Sequence, residues 1–89
     1  MKRFEIHLKG RVQGVGFRHF VLMRALDAGI TGYVRNFADG SVFVLAEGEE
    51  ADLELFADFL KIGPSRARVD QIIIDRFEAT IRSDQFIIK

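Results

Sequence analysis

The sequence contains no cysteine, which removes disulfides, thiolate metal sites and a cysteine nucleophile together. It has no excess of either charge: thirteen basic residues balance thirteen acidic ones, and the pI is about 6.7. That balance argues against a domain held to nucleic acid mainly by counterion release, so no nucleic-acid partner is expected. It also lacks an apolar run approaching the ~20 residues of a membrane span, and no signal peptide is visible. No membrane partner is expected, and the cytoplasm is the simplest location. What is present is 89 residues, 48% of them hydrophobic and nine of them Phe. Such a chain is too short for a second buried core, and residues 1–89 are expected to form one domain that folds without staples.

The most informative stretch is Gly10-Arg11-Val12-Gln13-Gly14-Val15-Gly16-Phe17-Arg18. A strand-patterned run leads into it and a helix-patterned run leaves it. Its glycines allow the backbone to turn several N–H groups toward one point. The helix that follows adds unsatisfied N–H groups and the positive end of its dipole. Arg18, at the mouth of that helix, offers a planar fork suited to phosphate oxygens. The combination makes a cradle for a small tetrahedral anion.

The rest of the pattern supplies a scaffold. Phe4, Ile6 and Leu8 alternate with Glu5, His7 and Lys9, as in a strand with one buried face. Arg18 to Ala28 is helix-compatible and Gly29 closes it. Ile30 to Phe37 reads as a second strand, Asp39-Gly40 as a hairpin turn, and Ser41 to Glu47 as a third strand with Val42, Val44 and Ala46 on one face. Glu49, Glu50 and Asp52 open a second helix, where the dipole favours them, and Leu53, Phe56, Ala57 and Leu60 follow at core spacing. Gly63-Pro64-Ser65 ends it; Val69 to Phe77 is a fourth strand and Phe86 to Ile88 a short last one. The order β-α-β-β-α-β plus a terminal strand predicts an α+β, ferredoxin-like split βαβ sandwich: an antiparallel sheet with both helices on one face.

The glycine loop, followed by Gly32-Tyr33-Val34-Arg35-Asn36 and Asp39-Gly40-Ser41-Val42, resembles the acylphosphatase family. The similarity continues through Gly63-Pro64 and Ala67-Arg68-Val69 to Phe86-Ile87-Ile88, nearly the whole chain. The resemblance implies hydrolysis of the carboxyl–phosphate bond of acyl phosphates, without a metal or organic cofactor. It implies that Arg18 binds the phosphate, that Asn36 orients the attacking water, and that the backbone of Gln13, Gly14, Val15, Gly16 and Phe17 holds the phosphate. Inorganic phosphate or sulfate could occupy the same loop. The alternative is an acylphosphatase-like module that binds a phosphorylated or carbamoylated ligand without hydrolysing it, as at the front of hydrogenase-maturation proteins. The chain ends at residue 89 without zinc-finger cysteines, which favours the free-standing enzyme. Phe37 departs from the family, in which some members have a small hydroxyl residue after the asparagine.

The chemistry suits these residues. A carboxylate leaving group has a conjugate acid of pKa about 4, so it can depart unprotonated and no general acid is required. The amide of Asn36, on a strand that could pair beside the first, can hold a water for in-line attack. If the last strand runs beside the loop end of the first, the carboxylate of Lys89 could pair with Arg18. Other polar groups read more simply. His19 is expected to face solvent, because consecutive helical residues point about 100° apart, and His7 belongs to the polar face of the first strand. Glu47, Glu49, Glu50 and Asp52 suit a solvated helix start better than a metal site. Arg66, Arg68, Arg76 and Arg82 read as solubilising charge, and the aromatics lack the basic, stacking pattern of an RNA-binding sheet. Leu22, Met23 and Leu26 are expected to fill the space between the helices with Leu55, Phe59 and Ile62, giving a monomer; a dimer through the helical face is the alternative.

Overall fold

The alternation along the first strand decides the layering. In the computed structural model, which describes residues 1–79 and 83–89, β1 spans Lys2–Arg11, and Phe4, Ile6 and Leu8 on it are wholly buried. It is followed by α1 (Phe17–Ala28), β2 (Thr31–Asn36), β3 (Val42–Gly48), α2 (Glu50–Ile62), β4 (Arg68–Glu78) and β5 (Phe86–Ile88). The sheet runs β4-β1-β3-β2-β5. Val42, Val44 and Ala46 sit opposite Leu8, Ile6 and Phe4 across the β1–β3 ladder, so one continuous apolar face forms. The helices cover it with Phe17, Val21 and Ala25 from α1 and Leu53, Phe56, Ala57 and Leu60 from α2. Burying each large apolar side chain contributes about 1.5–3 kcal/mol. Arg82 lies outside the described residues.

Four strands pair as expected, but the sheet is mixed: β5 lies parallel to β2. The reason is directional. β4 runs antiparallel to β1 and therefore also to β2, so the strand that returns after β4 must run the way β2 does. The partner of β5 is β2 and not the loop end of β1, because β3 and β4 already occupy both edges of β1. The strand bearing Asn36 is likewise not beside β1, because β3 stands between them.

The interhelical filling is also different. Leu22 and Phe59 are half-buried, whereas Met23, Leu26, Leu55 and Ile62 are 45%, 57%, 58% and 73% exposed. The inward stripe is taken by Val21 and Ala25 on one helix and by Leu53, Phe56, Ala57 and Leu60 on the other. The exposed four lie one or two positions along from that stripe, and each step turns the side chain by about 100°.

The outer face of the sheet is more aromatic than its alternation implied. Phe37 stacks on Phe43 at 5.5 Å and 11°, and His7 meets both rings edge-on at 5.1 Å. Arg35 lies over Phe37 and Arg3 over Phe77, so these rings stack on one another and on the protein's own cations. Arg68 pairs with Asp70, and Arg76 pairs with Glu54 while lying over the Phe4 ring. Glu47, buried, accepts hydrogen bonds from the N–H and hydroxyl of Ser83.

Candidate active site

Alternating anchors hold the loop between β1 and α1. Val12, Val15 and Phe17 are buried, whereas Gly14, Gly16 and Arg18 are exposed. The apolar residues pin the segment to the core, and the residues between them are left at the surface. Gly14 and Gly16 are left-handed, with φ of 71° and 78°, a region costly for any residue bearing a Cβ. Val15 between them has negative φ, as all non-glycine residues described do. Left-handed and ordinary residues in alternation turn successive N–H groups toward a common concavity.

Gly16 is also the N-cap of α1, with no side-chain cap and no acidic residue in the first turn. The first intrahelical bond runs from Phe20 N–H to Gly16 O, 3.1 Å. The earlier N–H groups have no carbonyl a turn behind them to bond, and nothing in that turn neutralises the positive end of the helix. An anion is the natural complement.

A cavity of about 240 Å³ opens over this loop, lined by Val12, Gln13, Gly14, Gly16, Arg18, His19, Asn36 and Ile88. It brings together Gln13, Gly14, Gly16, Arg18 and Asn36 of the residues expected from the sequence. Val15 and Phe17 are buried in the core and do not line it. The Arg18 guanidinium is exposed, and its Nη1 donates to the main-chain oxygen of Lys89 at 3.3 Å. Among the described residues no Asp or Glu side chain forms an ion pair with it. Asn36 ends β2 on the helix-facing side of the sheet, opposite Val42. Its Oδ1 is buried and finds no hydrogen-bond donor, an acceptor suited to a water molecule in the cavity.

The turn beyond Asn36 is tied down tightly. Phe37 N–H donates to Ser41 O at 2.9 Å and Gly40 N–H to Phe37 O at 3.1 Å. Asp39 Oδ1 accepts from Ser41 N–H at 2.9 Å and from Ser41 Oγ at 2.6 Å. These bonds to the charged form hold the Asp39 carboxyl below its ordinary value of 3.8. The Gln13 side chain crosses to the same turn, its Nε2 donating to Phe37 O at 2.7 Å and to Ser41 O at 2.9 Å.

The acylphosphatase family profile matches residues 4–88. The chain belongs to the acylphosphatase family. It is similar to the acylphosphatase of Thermus thermophilus, 50% identical over 72 residues, which cover 81% of this chain and 82% of that protein. Its fold superposes on the crystal structure of acylphosphatase from Bacillus subtilis with a TM-score of 0.97 and 38% identity, covering 100% of this chain and 99% of that one. It also matches T. kodakarensis HypF with a TM-score of 0.86 and 39% identity, covering 100% of this chain but 12% of that chain. No helix among the described residues is long and apolar enough to cross a membrane.

Two features of this site escaped the sequence. Gln13 was expected to serve through its backbone, yet its side chain spans to the β2–β3 turn; no local signal reveals a contact 24 residues away. Ile88 lines the cavity because β5 lies beside β2, a placement that only the sheet topology supplies. His19 is exposed, as expected, but stands at the cavity wall.

Proposed function

We propose that residues 1–89 form one domain that hydrolyses acyl phosphates, with Arg18 and Asn36 as its catalytic side chains and no metal in the reaction. The observation that carries this reading is the single cavity joining the glycine loop, the start of α1, Arg18 and Asn36. Phosphoryl transfer passes through a loose transition state with charge on the equatorial oxygens, so positioning and electrostatics dominate. The loop N–H groups and the Arg18 fork supply the positive complement that a metal ion would otherwise provide. A water donating to Asn36 Oδ1 keeps a lone pair free for in-line attack on phosphorus. The P–O bond to the acyl oxygen breaks, a carboxylate departs with the electron pair, and the water's proton passes to a phosphate oxygen or to solvent. A neutral amide cannot take that proton at pH 7.

The test is hydrolysis of benzoyl phosphate followed by ultraviolet absorbance, with EDTA present, for wild type and Asn36→Ala. Fast turnover that collapses in the variant supports the reading; equal rates overturn the role of Asn36. Inorganic phosphate and sulfate are expected to compete for the loop. The likeness to a small part of full-length HypF in its phosphate- and nucleotide-bound form favours a second reading, a module that binds phosphate without hydrolysis. Phosphate binding in the absence of any turnover would establish that reading. We further place the chain in the cytoplasm as a monomer; light scattering at high micromolar concentration checks whether exposed Met23, Leu26, Leu55 and Ile62 drive a dimer instead.

A further inference from the structure

Two halves of the site come from distant parts of the chain. The anion cradle is residues 13–18, and Asn36 closes β2 across the cavity. Between them run the whole of α1 and a strand, so nothing local fixes how far the asparagine stands from the bound phosphorus. In-line attack is sensitive to that spacing, because an error of 1 Å can cost about 10²-fold in rate.

One side chain ties the halves together directly. Gln13 is half-buried, and both of its Nε2 bonds end on main-chain oxygens, Phe37 O at 2.7 Å and Ser41 O at 2.9 Å. Phe37 is the residue immediately after Asn36. Ser41 O is also the acceptor that closes the turn from Phe37 N–H. An amide NH₂ carries two donors on one nitrogen, and here both are spent on the two ends of a single turn. A hydroxyl could serve only one, and a carboxylate could serve neither, since it would oppose two carbonyl dipoles. The Gln13 backbone meanwhile belongs to the cradle. The residue therefore has one end in the phosphate loop and the other beside the water-holding asparagine.

We infer that Gln13 is a positioning residue for the reaction: its side chain sets the distance between the phosphate cradle and Asn36, and so governs kcat rather than substrate affinity. This rests on the water-positioning role proposed for Asn36. It predicts a split between the two steady-state constants. The loop conformation is set by buried Val12, Val15 and Phe17 and by the left-handed glycines, so phosphate affinity survives loss of the brace. The water–phosphorus alignment does not.

The experiment is a double-mutant cycle on benzoyl phosphate hydrolysis with wild type, Gln13→Met, Asn36→Ala and the double variant. Inhibition by inorganic phosphate and the melting temperature are read on each. Gln13→Met keeps the length and removes both donors. Gln13→Asn, one methylene shorter, serves as the second variant should the first fail to fold. The expected result is a fall in kcat of roughly tenfold to a hundredfold, an unaltered inhibition constant for phosphate, and no further loss when the substitution is added to Asn36→Ala. An unchanged kcat overturns the inference. So does a loss that multiplies with that of Asn36→Ala, because Gln13 would then act independently of the asparagine. A weakened phosphate inhibition that accounts for the whole effect overturns it too, reducing Gln13 to a support of the cradle. If Asn36→Ala itself retains wild-type kcat, the water-positioning role fails and the brace falls with it, a result distinct from the other three.

Discussion

Arg18 and Lys89 meet at the rim of the cavity, the Arg18 Nη1 donating to the Lys89 main-chain oxygen at 3.3 Å. One arm of the guanidinium fork is thereby engaged by the protein, and the remaining N–H groups are free to face an anion. Lys89 is itself held by donating its N–H to Val34 O at 2.8 Å, so the fork is anchored through β2. A lysine cannot hold such an anchor and present a planar pair of donors at once. Arg18→Lys is expected to lower kcat/KM by at least about 10²-fold and to weaken inhibition by inorganic phosphate. Steady-state kinetics on benzoyl phosphate check both.

Asn36 is expected to separate from Arg18 in its kinetic signature. On the proposed role its amide addresses the nucleophile and not the bound phosphate, so Asn36→Ala should lose on the order of 10²–10³ in kcat with KM little changed. A variant whose KM rose while kcat held would place the amide on the substrate instead.

Gly16 tests the cradle without touching a side chain. No atom lies within 4 Å of the Cβ that an alanine would add, but its φ of 78° is left-handed. Gly16→Ala therefore faces backbone strain and no clash, a cost of about 1–2 kcal/mol. Relief of that strain rotates the adjoining N–H groups out of the concavity. Chemical denaturation should report the stability loss, and phosphate inhibition should weaken in parallel.

Asp39 gives the turn beside Asn36 a pH dependence of known sign. Its carboxyl is held below 3.8 by bonds from the Ser41 hydroxyl and N–H, so the folded state binds its proton less readily than the unfolded chain. The stabilisation is complete above 3.8 and fades as pH falls through the depressed value. Urea midpoints of wild type and Asp39→Ala should therefore differ at neutral pH and converge in acid. A gap that widened on acidification would contradict the assignment.

Much of this was legible in the sequence because it is local. Alternation set the buried face of β1, core spacing picked out Leu53, Phe56, Ala57 and Leu60, and the glycine loop pointed to the segment over which the cavity opens. What was not legible depends on partners distant along the chain. The direction of β5, the separation of β2 from β1 by β3, and the reach of Gln13 to the β2–β3 turn all follow from sheet order, which no window of residues contains. Met23, Leu26, Leu55 and Ile62 were misplaced for a subtler reason. Both helices carry more apolar residues than their inner stripes can accept, and composition does not say which will be left outside.

The split connection between β1 and β2 carries a kinetic consequence. Because β3 lies between the two strands that flank the cavity, the cradle and Asn36 cannot come together when α1 first forms. They meet only once the hairpin of β2 and β3 has docked on β1, a pairing of high sequence separation of the kind that slows folding. The appearance of activity during refolding is thus a clock for that docking event, and it should lag behind the recovery of helical signal.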